Sequence, residues 1–127
     1  MNNEIMEWIK YSENDILTAE TMRNITNPPL EIVCYHCQQA AEKLLKAFLI
    51  KNNEPVVKTH DLTFLNSKCI KFNKTFEEIN KECIRLTNYG VNTRYPDIMD
   101  IIDIDMEIAI NDVKRIKSFI LEKIEEM

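Results

Sequence analysis

Apolar and small residues recur at helical spacing along almost the whole chain. From about Glu4 to Met22, Ile5, Trp8, Ile9, Ser12, Ile16 and Ala19 share one face, which predicts a first helix ended by "NITNPP". A second helix is predicted from near Pro29 to about Lys51, with Val33, Cys37, Ala40, Ala41, Leu44 and Phe48 in one broad stripe. "NNEPVVK" then reads as a loop. A third helix, about Leu62 to Phe72, carries Leu62, Leu65, Cys69 and Phe72. A fourth, about Phe76 to Thr87, carries Phe76, Ile79, Cys83 and Leu86 at the same offsets. "NYGVNTRYPD" breaks the pattern, and a last helix from about Asp103 to Glu125 follows, with Met106, Ala109, Val113, Ile116 and Ile120 as its stripe. No repeat, low-complexity tract or linker divides the sequence. Residues 1–127 are therefore read as one all-α domain, an antiparallel bundle of four long helices and one short one.

Composition agrees with this picture. One Gly and four Pro leave few of the tight turns that a many-stranded sheet needs, and 127 residues suffice for a core without a disulfide or metal staple. The N-terminal "MNNEIMEWIK" lacks the basic start and apolar run of a secretory signal, and no window approaches ~18 uninterrupted apolar residues. A cytoplasmic protein away from membranes is expected. The net charge of −5 and pI near 5.1 argue against a surface that is all nucleic-acid footprint, although acidic residues gather in "YPDIMDIIDID" and leave room for a local basic patch.

Cys34 and Cys37 have the C-x-x-C spacing of a zinc knuckle or a thiol oxidoreductase. At ~100° per residue Cys37 falls in the middle of the buried stripe of the second helix and Cys34 at its edge. The other candidate ligands, His60, Cys69 and Cys83, fall on separate elements, and a redox pair belongs where a helix begins, not inside one. The thiols are expected to be core residues, with neither metal nor cofactor.

The polar flank of the second helix is more informative. His36, Gln39 and Lys43 stand at i, i+3 and i+7, with Ile32 extending the row, and an imidazole, an amide and an ammonium together suit a phosphate or a base edge. His60 lies in "KTHDL", where Thr59 or Asp61 would cap the third helix and leave His60 to hydrogen-bond across the bundle. In "NTRYPD", Arg94 and Tyr95 offer a guanidinium and a ring to a nucleotide, or else anchor the loop. His36, Gln39, Lys43, His60, Arg94 and Tyr95 are thus the candidate nucleotide-binding set.

"CYHCQQAAEKLLKAFL", "KTHDL" and "TRYPD", in this order and spacing, resemble the signature segments of the HEPN domain family, over nearly the whole chain. The resemblance implies a compact helical bundle, a homodimer, and the link with nucleotides that the family name declares. Many small prokaryotic members are encoded beside a minimal nucleotidyltransferase, often as a toxin and antitoxin pair. Ribonuclease branches use an Arg followed four to six residues later by a His, and this chain departs from that pattern. Only Arg23 precedes either histidine, thirteen positions before His36, whereas Arg85, Arg94 and Arg115 follow His60. A noncatalytic module that binds a nucleotide or a nucleotidyltransferase is therefore expected. The alternatives are a metal-independent ribonuclease with an atypical site built from His36, His60, Arg94 and Tyr95, and a purely structural homodimer. The dimer is also expected from Leu45 and Leu49 on the second helix and Leu121 and Ile124 on the last, which widen their apolar stripes.

Overall fold

The computed structural model of the chain describes residues 2–90 and 100–126. Helices α1 (Asn3–Arg23), α2 (Leu30–Lys51), α3 (Leu62–Phe72), α4 (Asn80–Thr87) and α5 (Asp103–Glu125) follow the predicted order, and the described residues include no strand. None of these helices is long and apolar enough to cross a membrane.

The second helix is the axle of the bundle, packed against the other four. That position explains its composition. A helix surrounded by neighbours buries more than one stripe, and Leu45 and Leu49, expected to face a second copy, are fully enclosed within the chain. On α5, Ile124 is buried and Leu121 half-buried against the core. The apolar width from which a dimer was expected is thus largely consumed by internal packing.

Ion pairs fix the helix directions. Trp8 lies under Lys46 while Asp15 meets His36 and Lys43, so α1 and α2 are antiparallel. Arg23–Glu107, Glu20–Lys114 and Glu13–Lys117 set α5 antiparallel to α1. The α2–α3 connection differs. Asn53 takes a left-handed conformation (φ 64°) just beyond the end of α2, which asparagine tolerates, and Glu54 N–H bonds back to Leu49 C=O at 3.0 Å. The chain then returns along α2 as far as His60, and α3 runs in the same direction as α2, with Cys69 Sγ against Leu45 C=O. This return brings His60 to the middle of α2.

Two details differ from the periodic reading. The fourth predicted helix begins as a 3-10 segment, Lys74–Ile79, capped by Asn73, before α4. Phe76 and Ile79 are three apart, which aligns them on one side at three residues per turn. Phe72 is not a core residue but is 45% exposed, because the chain turns extended at Asn73 (φ −152°) and Phe76 takes the core position between Phe48 and Phe119.

All four cysteines are free and buried. Burial, before any neighbouring charge, pushes the Cys34 and Cys83 thiols up to about 12 and raises Cys37 and Cys69 further. A thiol-labelling reagent at pH 8 should modify none of the four in the folded chain and all four after unfolding in guanidinium. Rapid native labelling would show that the core opens.

Asp61, one of the two caps expected for α3, takes the role: its Oδ1 accepts from the Thr63 hydroxyl (2.7 Å), Thr63 N–H (3.0 Å) and Phe64 N–H (3.2 Å). These bonds, the Thr63 hydroxyl foremost, hold its carboxyl below the ordinary range. Folding lowers this pKa, so the stabilisation exists above the ordinary aspartate value of about 4 and disappears as pH falls through the folded value. Asp61→Ala should therefore lose about 1 kcal/mol in urea melts at pH 7, with the gap to wild type narrowing as the pH is taken down through the lowered folded value.

Candidate functional site

The polar flank of α2 is built from two hydrogen-bonded clusters. The first joins α2 to α1. His36 and Lys43 are two turns apart, about 10 Å along the axis, and Asp15 enters between them from the antiparallel helix. Its Oδ1 meets His36 Nδ1 at 2.9 Å and its Oδ2 accepts from Lys43 Nζ. The Asp15 side chain is 13% exposed, so this carboxylate is close to fully desolvated and both of its oxygens are committed.

The second cluster joins α2 to the returning loop. Gln38, with no exposed surface, donates from Nε2 to His60 C=O (2.9 Å) and to Glu42 Oε1 (3.3 Å), and its Oε1 accepts from Gln39 Nε2 (2.7 Å). Glu42, also buried, accepts from His60 Nδ1 at 2.9 Å and from Lys46 Nζ at 2.8 Å. Lys46 lies 5.9 Å from the centroid of the Trp8 ring, which closes the ion pair from the α1 side. Removing one member of such a pair strands the other's charge and costs ~3–5 kcal/mol, whereas the intact pair is close to neutral in stability.

A third segment reaches the same carboxamide. A Cβ at Gly90 would lie 3.1 Å from Gln38 Nε2 and 3.2 Å from Gln38 Cδ, and Gly90 does not have a positive φ. The glycine is needed for close approach, not for backbone conformation. Gly90→Ala should accordingly destabilise by about 1–3 kcal/mol in urea unfolding. In a Gln38→Ala background the same change should cost clearly less; equal costs in both backgrounds would separate Gly90 from this contact.

Of the candidate residues, His36 and Lys43 are joined through Asp15, and Gln39 and His60 through Gln38. Arg94 and Tyr95 lie outside the described residues. Sequence reasoning missed Asp15, Gln38, Glu42 and Lys46. The i, i+4 spacings Gln38–Glu42 and Glu42–Lys46 were available as signals. Nothing in the periodicity of α1 marks Asp15, whose role follows from which helix packs beside it.

Every described arginine is engaged elsewhere. Arg23 pairs with Glu107 (3.4 Å), Arg85 is bidentate on Asp112 (2.9 and 2.8 Å), and Arg115 Nε meets Glu82 at 2.9 Å. None shares a carboxylate with a histidine. No group of three or more His, Cys, Asp or Glu that could hold a metal ion occurs among the described residues. The flank is thus a charge-compensated arrangement of amides, imidazoles and ion pairs, suited to orienting hydrogen bonds.

A sequence model of the HEPN domain matches residues 5–124. The chain belongs to the HEPN domain family. The fold of this HEPN chain is similar to the crystal structure of TT1696 from Thermus thermophilus, with a TM-score of 0.83, 22% identity, and coverage of 96% of this chain and 99% of that one. It is also similar to ST0689, described as an archaeal HEPN homologue, with a TM-score of 0.75, 23% identity, and coverage of 98% and 99%. No curated protein matches the chain. At these identities the structural likeness establishes the shared HEPN bundle and leaves the chemistry to the residues themselves.

Proposed function

We propose that this HEPN chain is a noncatalytic module that binds a nucleotide on the polar flank of α2, or presents that flank to a minimal nucleotidyltransferase as one half of a toxin and antitoxin pair. The observation that carries the reading is the convergence at Gln38. One buried carboxamide bonds the α2 flank and the His60 backbone and lies where a Cβ on Gly90 would crowd it, Gly90 being the residue after which the segment bearing Arg94 and Tyr95 follows in sequence. In this reading His36, Gln39 and His60 orient the ligand, and Tyr95 supplies a stacking face. Phosphate falls chiefly to Arg94, because Asp15 already neutralises Lys43. Partnership with a nucleotidyltransferase and pairing with a second copy draw on family membership alone.

A second reading, metal-independent RNA cleavage, draws on both imidazoles being oriented by carboxylates, as a general base would be. Against it stand the missing Arg–His spacing and the engagement of every described arginine with a carboxylate.

Calorimetric titration with AMP, ATP and a short RNA should show nucleotide binding that Arg94→Ala weakens by about one to two orders of magnitude with the bundle still folded. RNA incubated with the chain should stay intact. Absence of all binding would reduce Arg94 and Tyr95 to loop anchors, and cleavage abolished by His36→Ala or His60→Ala would establish the second reading.

A further inference from the structure

Both histidines of the chain are held through the same ring atom. Nδ1 lies 2.9 Å from a carboxylate oxygen in each case, Asp15 for His36 and Glu42 for His60. A carboxylate only accepts, so the neutral imidazole carries its proton on Nδ1 and a lone pair on Nε2. The His36 side chain is 26% exposed and the His60 side chain 59% exposed, over a Glu42 that is 7% exposed. His60 is therefore an open ring on a buried, fixed support. Its other ring nitrogen has no hydrogen-bond partner among the described residues.

The support is charge-compensated without His60. Lys46 Nζ donates to Glu42 Oε2 at 2.8 Å and Gln38 Nε2 to Oε1 at 3.3 Å, so the Glu42 carboxylate has its counter-ion whether or not the imidazole is protonated. The Gln38 bond to His60 C=O fixes the backbone of the same residue, so ring and main chain are pinned independently to α2.

We propose that Glu42 is a positioning residue that fixes His60 with Nε2 directed outward as a hydrogen-bond acceptor, and that this nitrogen receives an O–H or N–H donor of a ribonucleotide rather than its phosphate. The ligand class rests on the nucleotide-binding reading above; the positioning of the ring does not. A lone pair repels a phosphate oxygen and accepts from a sugar hydroxyl or an exocyclic amine. His60, a member of the candidate nucleotide-binding set expected from sequence to hydrogen-bond across the bundle, thereby acquires a specific job, discrimination between ligands that carry the donor and those that lack it.

Two measurements test this. Long-range proton–nitrogen NMR on histidine-labelled chain at pH 8, above the ordinary imidazole range, should show His60 protonated at Nδ1 and bare at Nε2. The double variant Glu42→Leu with Lys46→Met, which removes the pair without stranding a charge, should erase that tautomer preference while the chain stays folded. Protonation at Nε2 in the wild type would overturn the positioning role whatever the ligand does. In calorimetry, AMP is compared with 2′,3′-dideoxy-AMP, which lacks the sugar donors, and with IMP, which lacks the exocyclic amine. One of the two analogues should bind about five- to tenfold more weakly than AMP to wild type and equally to AMP in His60→Ala. Which analogue loses affinity identifies the donor. Equal binding of all three to wild type, or an unchanged loss in His60→Ala, would overturn the assignment of the donor to His60. Failure of every nucleotide to bind, with the Nδ1–H tautomer intact, would refute the nucleotide reading and the ligand class together and leave the positioning role standing.

Discussion

A carboxylate and a carboxamide placed almost without exposure on the central helix have to be satisfied from within the protein, and this requirement organises the surroundings of α2. Glu42 needs a cation, and Lys46 supplies it from one turn along the same helix. Its second oxygen accepts from Gln38 at 3.3 Å within α2, and the remaining bonding capacity of that oxygen and of the Gln38 amide is filled from outside the helix. The chain meets that need by running back along α2 after Asn53 and delivering the ring and the carbonyl of His60. A shorter, direct turn into α3 would leave these groups with their α2 partners alone. The parallel course of α2 and α3 brings His60 onto these two polar side chains, and the chain passes close to Gln38 again at Gly90.

That dependence also separates the energetics of the core from those of the flank. The bundle is held by burial of apolar side chains around α2, with Phe76 wedged between Phe48 and Phe119 where the 3-10 segment ends the alternation of full helices. The polar clusters add little net stability when intact but are costly to damage in part, because removing Lys43 or Lys46 would strand a nearly buried carboxylate. Their contribution is to a single arrangement of the loop and the two imidazoles.

Most of the fold was legible because the apolar period of 3.6 survives in every long helix, and α3 and α5 begin and end where the pattern does. The 3-10 segment escaped notice because Phe76, Ile79, Cys83 and Leu86 fit a helical stripe as well as they fit a 3-10 turn followed by a short α-helix. Phe72 was misplaced for a related reason, since a periodic stripe does not show where the backbone leaves the helix. The apolar width of α2 and α5 was read as a dimer surface because periodicity reports how much of a helix is apolar but not how many neighbours surround it. In the site, the row His36, Gln39, Lys43 could be read from spacing, and the capping of α3 by Asp61 from residue type. The partners of those residues could not. Asp15 is joined to His36 and Lys43 only by the antiparallel packing of α1 on α2, and His60 to Glu42 only by the length of the returning loop.

The way the cations are engaged bears on which ligands the proposed binding flank could take. Extended nucleic acid is held mainly by lysines and arginines that displace counterions from phosphates, and each such contact has to be available for exchange. Here Lys43 and Lys46 are bound to Asp15 and Glu42, Arg23, Arg85 and Arg115 are bound to carboxylates, and the chain carries a net charge of −5. Recruiting either lysine to a phosphate backbone would expose a desolvated carboxylate beneath it, which offsets the gain. What the flank offers without such a penalty is a set of oriented hydrogen-bonding groups, the Gln39 amide and the two carboxylate-backed imidazoles. Under the proposed function, such a surface suits a ligand of mononucleotide size, or a partner protein with matching polar groups, better than a long phosphate chain.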